Sequence, residues 1–282
     1  MEKIELFFSE GKWLTNVDLL ESLIKLKANE TDILYIHSSL NFGQPNNKIP
    51  RNVLLESIMD VFFHLEVPTL IFPTYTFSFC NGEGYDLTHS KSKMGVLNEF
   101  VRKSNYSIRS IDPLMSNVLV GKHKEFILNI GKSSLGINST FHLLHKTNLE
   151  VKFLFLGPKI GECFTHMHFI EAERDVPYRY YRNFAGLINN NGYEYLDNYE
   201  LFVRYDKVFA GEGSFIYENL MIERGINCFT KFGSGRLSII SEKPAYNTYV
   251  ELLELSPSFY LKEPFDLSLN SKAFEVNNMV AL

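Results

Sequence analysis

The chain has 282 residues, 45% of them hydrophobic, and 28 Lys+Arg against 33 Asp+Glu give a formal charge of −5. This composition fills a sizeable interior and excludes a disordered chain. The lack of any dense Lys/Arg block argues against nucleic acid as a partner.

No run approaches the roughly 18 apolar residues of a membrane span. The best, Val61 to Pro73, is broken by His64, Glu66 and Pro68, so no membrane association is expected. The N-terminus has no long apolar stretch behind a basic start, so no secretory signal is expected either. Cys80, Cys163 and Cys228 are too few and too scattered for a disulfide framework. They read as reduced thiols in a cytoplasmic protein.

In chain order, Thr15 and Asn16 can cap a helix carrying Leu19, Leu20, Leu23, Ile24 and Leu26. Asp32 to His37 reads as a buried strand, followed by a polar loop through Pro45 and Pro50. A helix is predicted from about Arg51 to Leu65, then a short strand ending at Pro73 and a loop over 74–93. Val96 to Val101 reads as helix, Asn117 to Val120 as strand and His123 to Ile130 as helix. Glu150 to Leu156 is the clearest buried strand, closed by Gly157 and Pro158. This alternation predicts an α/β fold, a mixed central sheet flanked by helices.

After about residue 176 the texture changes. Tyr, Phe and Asn rise, and Asn189 to Gly192 is a turn signal. A more antiparallel subregion is predicted there, with helices near 213–224 and 245–255. No internal repeat or long linker divides the chain. One compact domain over 1–282 is expected, with subregions of about 1–175 and 176–282.

Ligands in α/β proteins sit at strand ends that open into polar turns. His37-Ser38-Ser39-Leu40 is one such end, suited to a phosphate or an amide, though a plain serine turn fits as well. Pro73-Thr74-Tyr75-Thr76 is a second. The third lies beyond the Glu150–Leu156 strand, at Cys163 to Glu171. If 164–174 is helical, His168 and Glu171 share a face, with Thr165 one turn earlier. A carboxylate beside an imidazole fixes its tautomer and raises its basicity, as a general base requires.

Cys163, His166 and His168 match no common zinc spacing, so no metal is expected. Nothing marks Cys163 as an activated nucleophile. Phosphate-binding P-loop and dinucleotide glycine motifs are missing, as is a G-x-S-x-G elbow.

Together and in order, these pieces resemble the aminoglycoside 3-N-acetyltransferases. The resemblance rests on His37-Ser38-Ser39-Leu40, then Pro73-Thr74-Tyr75-Thr76, then Ser92, Gly95, Leu97 and Arg102. It continues through Arg109, Ser110, Pro113, Ser116 and Gly121, then Ser139-Thr140-Phe141, and ends at Thr165, His168 and Glu171. It covers roughly residues 30 to 180. Two departures stand out. Asp112 replaces the family's usual His, and the chain from Val176 onward matches poorly.

The resemblance implies direct acyl transfer from acetyl-CoA, or another acyl-CoA, to an amine, without a metal. It implies His168 as base, Glu171 as its orienting carboxylate and the Thr165 hydroxyl, or a nearby backbone N–H, as oxyanion donor. It implies CoA contacts from His37, Ser38, Ser39, Leu40, Thr76, Arg109, Ser110 and Ser116. The partners are then an acyl donor and an amino-sugar acceptor, and a homo-oligomer stays open.

For the acceptor, Tyr178, Arg179, Tyr181 and Arg182 interleave aromatic and basic residues just after the catalytic helix. Such a segment can stack a base and pair with a diphosphate, favouring a dTDP- or UDP-linked amino sugar. An aminoglycoside acceptor is the alternative. A non-catalytic CoA-binding module and a thioester hydrolase are more distant rivals.

Overall fold

The computed structural model describes residues 1–270. Strands β1 (Glu5–Ser9) and β2 (Lys12–Thr15) form a hairpin that turns through Glu10 and Gly11, both at positive φ. β2 runs straight into α1 (Asn16–Lys25). The Thr15 hydroxyl accepts from the Asp18 amide while the Asp18 carboxylate accepts from the Thr15 amide, a reciprocal cap.

β3 (Ile33–Ser38), β4 (Gln44–Pro45), α2 (Arg51–His64) and β5 (Thr69–Pro73) follow, then β6 (Tyr85–Asp86) and α3 (Val96–Arg102). Next come β7 (Ile108–Arg109), β8 (Asn117–Gly121), α4 (Glu125–Leu128) and α5 (Thr140–Lys146). β9 (Val151–Gly157) leads through α6 (Ile160–Cys163) to α7 (His166–Glu173). The rest comprises β10 (Arg179–Asn190), β11 (Tyr193–Arg204), α8 (Gly213–Glu223), β12 (Cys228–Phe232), β13 (Gly235–Ser241) and α9 (Glu242–Leu255).

A seven-stranded sheet runs in the order β12-β13-β9-β3-β5-β8-β7. Its centre, β9-β3-β5, is parallel, and every other neighbour is antiparallel. The sheet is mixed, as predicted. Side chains alternate between its faces, as strand geometry dictates. Ile33, Tyr35, Ile71, Phe153 and Phe155 enter one core, while Leu34, Ile36, Leu70, Leu154 and Leu156 enter the other. The second core is closed by α1, α2 and α3, through Leu19, Leu23, Leu54, Ile58, Leu97 and Val101. The first is closed by α5, α7, α9 and the β10–β11 hairpin, through Phe141, Ile170, Tyr249 and Phe184.

The predicted elements are present, alongside several that were not expected. The helix expected over His123–Ile130 contracts to α4. The β1–β2 hairpin was not expected. The chain after residue 176 is largely antiparallel, as predicted, and its β13 pairs with β9 from Ser241↔Lys152 to Arg236↔Gly157, extending the central sheet. The expected turn at Asn191-Gly192, both at positive φ, does join β10 and β11. No helix among the described residues is long and apolar enough to cross a membrane.

Candidate active site

The site is built where β9 hands over to α7. Gly157 ends β9 at φ +108, and a Cβ there would lie 2.5 Å from Asn41 Oδ1 and 2.8 Å from Ser39 Oγ. Glycine is required because the turn after β3 presses on this backbone. The chain then passes through α6 to Thr165 at the start of α7. From His166 to Ala172 every residue of α7 is buried. A helix so enclosed can carry a charged pair only if that pair is fully bonded.

That condition is met at Glu171. Its Oε2 lies 2.7 Å from His168 Nδ1 and 2.9 Å from Arg179 Nε. Its Oε1 accepts from Tyr178 Oη at 2.6 Å and from Tyr249 Oη at 3.0 Å. Burial by itself would raise the carboxyl pKa, but Arg179 and then His168 hold it down to about 2. His168 is pulled the other way. Burial, then the charge of Arg179, lowers its pKa to about 4 despite the support of Glu171. The imidazole is therefore neutral near pH 7. With Nδ1–H given to Glu171, Nε2 keeps its lone pair, and it is buried with no hydrogen-bond partner among the described residues. A neutral ring with one free, basic nitrogen can accept a proton.

Thr165 is half-buried and reaches the carbonyl of Cys163 only at 3.4 Å. Behind it runs a chain of hydroxyls. Tyr75 Oη lies 2.8 Å from Tyr35 Oη, and Tyr35 donates to Asn117 Oδ1 at 2.6 Å. This chain ties β3 and the start of β8 to the segment that follows β5.

The residues expected to contact CoA divide into two groups. Ser38 donates to Asn98 Oδ1 at 2.7 Å, Ser39 is exposed, and Leu40 adopts a left-handed φ of 52°. These three stay at the surface turn. The others are buried within the fold. His37 is buried and stacked on Phe155, its pKa lowered to about 3 by burial. Arg109 donates to the carbonyls of Leu87, Ser90 and Thr74 and lies over the Tyr85 ring. Ser116 donates to Thr74 O, Thr76 to Pro113 O, and the Ser110 hydroxyl accepts from the Asn117 amide. Arg109, Ser116 and Thr76 thereby anchor the loop over 74–93, whereas His37 Nε2 is buried with no hydrogen-bond partner among the described residues. Asp112, at the family's usual His position, accepts from the Leu114 and Met115 amides and from Ser134 Oγ.

Sequence reasoning missed a groove beside the Ser38 turn. Arg51, Ser92, Lys93, Gly95, Val96 and Lys103 are among the residues lining a cavity of about 430 Å³. A Cβ on Gly95 would lie 3.2 Å from Ser38 O, so groove and turn adjoin. Glu99, also in the lining, is neutralised by Arg102 and Lys103. Cationic side chains beside a surface turn fit the phosphates of CoA.

The segment expected to grip a nucleotide is partly committed within the fold. Tyr178 and Arg179 are buried and committed to Glu171, leaving no base-stacking ring or free guanidinium at those positions. Tyr181 packs on the Phe202 ring at 4.6 Å, and Arg182 lies over Phe184 at 5.3 Å. Position along the chain divides them: Tyr178 lies just before β10 and Arg179 opens it, both buried, whereas Tyr181 and Arg182 lie further along the hairpin.

A second histidine pair, His145 and His166, shares Glu242 Oε1 at 2.8 and 2.9 Å. Burial raises the Cys163 thiol pKa well above its ordinary value. Among the described residues, no group of three or more His, Cys, Asp or Glu is placed to hold a metal ion.

With this geometry in place, the comparisons are specific. Aminoglycoside acetyltransferase AAC(3)-Xa superposes with a TM-score of 0.72 at 17% identity, over 89% of this chain and 95% of that one. AAC-IIIb, in binary complex with CoASH, gives 0.71 at 18% identity over 86% and 97%. AAC-VIa bound to sisomicin gives 0.71 at 16% over 85% and 97%. These likenesses fix the fold. No curated protein sequence matches the chain. The family model for aminoglycoside 3-N-acetyltransferase matches residues 36–254, a span from the first predicted strand end through α9. By that match the chain belongs to the aminoglycoside 3-N-acetyltransferase family, and it is a CoA-dependent N-acyltransferase.

Proposed function

We propose that the protein transfers the acetyl group of acetyl-CoA to an amino group of an aminoglycoside-type amino sugar, with His168 as general base. The observation that carries the reading is the His168–Glu171 pair, whose ring nitrogen Nε2 is buried without a partner. A substrate amine hydrogen-bonded to Nε2 gives up its proton there as its nitrogen attacks the thioester carbonyl. Glu171 holds Nδ1 and supports the imidazolium that forms. The Thr165 hydroxyl stabilises the oxyanion. On collapse the carbon–sulfur bond breaks, the imidazolium returns its proton to the departing thiolate, and the amide leaves with CoA.

The donor supplies the activated acyl group. Ser38, Ser39 and Leu40 in the turn, with Arg51, Lys93 and Lys103 in the adjoining groove, would hold its pantetheine and phosphates. Arg109, Ser110, Ser116 and Thr76 act one step removed, by fixing the loop beside them. The acceptor class follows from the family and from relatives such as AAC-VIa bound to sisomicin. The nucleotide-linked amino sugar loses its support, because Tyr178 and Arg179 serve the catalytic pair.

The test measures thiol release from acetyl-CoA with aminoglycosides in competition against dTDP- and UDP-linked amino sugars. An aminoglycoside is expected to give the highest kcat/KM, and a nucleotide sugar ahead of every aminoglycoside overturns the acceptor. His168→Ala should lower kcat by about 10²–10⁴. Turnover near wild type in that variant removes the base assignment.

A further inference from the structure

His168 Nδ1 has two neighbours that make opposite demands. Glu171 Oε2, at 2.7 Å, accepts a hydrogen bond, whereas Arg179 Nη2, at 2.9 Å, can only donate one. A ring nitrogen has one in-plane direction for either a proton or a lone pair. With the proton on Nδ1, the ring bonds Glu171 and leaves Nε2 bare. With Nδ1 bare, the ring accepts from Arg179 and presents Nε2–H to the substrate, where it cannot act as base. Both contacts are charge-assisted, and the carboxylate contact is the shorter, so we assign the proton to Nδ1.

Arg179 is far from free to drift. Its Nε forms an ion pair with Glu171 Oε2 at 2.9 Å and its Nη1 donates to the Phe202 carbonyl of β11 at 3.2 Å, so the guanidinium is held from two sides in a fully buried site. It cancels the charge of Glu171 within the core. Without it, the carboxylate would stand as an uncompensated buried charge, and protonating His168 would be the nearest remedy.

We propose that Arg179 is a positioning residue that keeps His168 neutral in the resting enzyme, as the internal counterion of Glu171. This rests on His168 being the base. Other groups facing the ring or its partner are Tyr178 before β10, Tyr249 on α9, Tyr260 with its ring 6.0 Å from the imidazole, and Arg204 at the end of β11. The tyrosines are neutral near pH 7, since burial raises the pKa of each. Arg204 adds a second positive charge that disfavours the imidazolium, so the resting state is not set by Glu171 alone.

The test reads protonation directly and needs no turnover. The full chain is labelled with ¹⁵N-histidine, the His168 resonance is assigned by its loss in His168→Gln, and the ring is titrated by NMR. In the wild type, His168 should stay neutral with its proton on Nδ1 from pH 8 down to pH 5. Arg179→Gln should move the protonation midpoint up by about one pH unit or more, and Arg179→Lys, which retains the charge, should lie nearer the wild type. Identical midpoints in Arg179→Gln and wild type overturn the proposal. So does a wild-type ring already charged at pH 6 and above, a result independent of whether either variant folds. If the titrations are as expected but no acceptor is acylated, Arg179 keeps its role and the proposed function is what fails.

Discussion

Tyr249 and Glu171 are 78 residues apart in the chain, yet the tyrosine hydroxyl donates to Oε1 of the carboxylate at 3.0 Å. Their contact joins α9 to α7 and completes the shell around the buried carboxylate. It also explains how a charge survives among residues that are almost all apolar: each oxygen of Glu171 has two partners.

The buried imidazoles make the fold acid-sensitive. His168 and His37 have pKa values lowered, by burial foremost, to about 4 and about 3, against about 6.5 in an unfolded chain. Below about pH 6.5 the unfolded state binds protons that the native state refuses, so stability falls with pH from there. Glu171, lowered to about 2, adds a second loss as pH drops below about 4.5. Thermal melts should therefore shift down steadily from pH 7 to pH 4. His37→Phe, which preserves the stack on Phe155, should flatten that slope, and an unchanged slope would show that His37 does not contribute.

Activity should follow a different limb. Because His168 is already neutral at pH 5, the acid side of its kcat/KM profile lies near pH 4, and any rise above pH 6 belongs to the acceptor ammonium losing its proton. The check is to change the acceptor. A limb that moves with the amine's own pKa fits this assignment, whereas one fixed near pH 6.5 for every acceptor assigns it to the imidazole.

Asn117→Ala should cost stability out of proportion to its size. Asn117 accepts from Tyr35 and donates to Met115 O, so its loss leaves buried polar groups unpaired, worth about 1–3 kcal/mol. Urea unfolding at pH 7 measures this. A loss below a few tenths of a kcal/mol would mean that the hydroxyl chain re-forms without it.

The groove beside Ser38 should govern donor affinity. Arg51→Ala combined with Lys93→Ala should raise the KM for acetyl-CoA severalfold and leave the KM for the acceptor nearly unchanged. The effect should weaken as salt is added, since the side chains are exposed. An acceptor-selective effect would instead place this groove on the sugar side.

Much of the scaffold was legible locally. The apolar runs of β3, β5 and β9 could be read as buried strands, because parallel strands covered on both faces need unbroken hydrophobic sequence. The His168–Glu171 pair was legible for a similar reason: helical spacing alone places residues three apart on one face. The cap at Thr15 and the turn at Asn191-Gly192 were equally local. What the sequence could not display was who answers those residues from a distance. Arg109 and Ser116 look like ligands along the chain, but folding turns their polar atoms onto the carbonyls of the 74–93 loop. Arg179 has the appearance of a phosphate ligand until β10 delivers it to a buried carboxylate, where an isolated charge would be too costly to leave unpaired. Local spacing determined which side chains could act together within one helix, and tertiary packing decided which buried charges each of them had to meet.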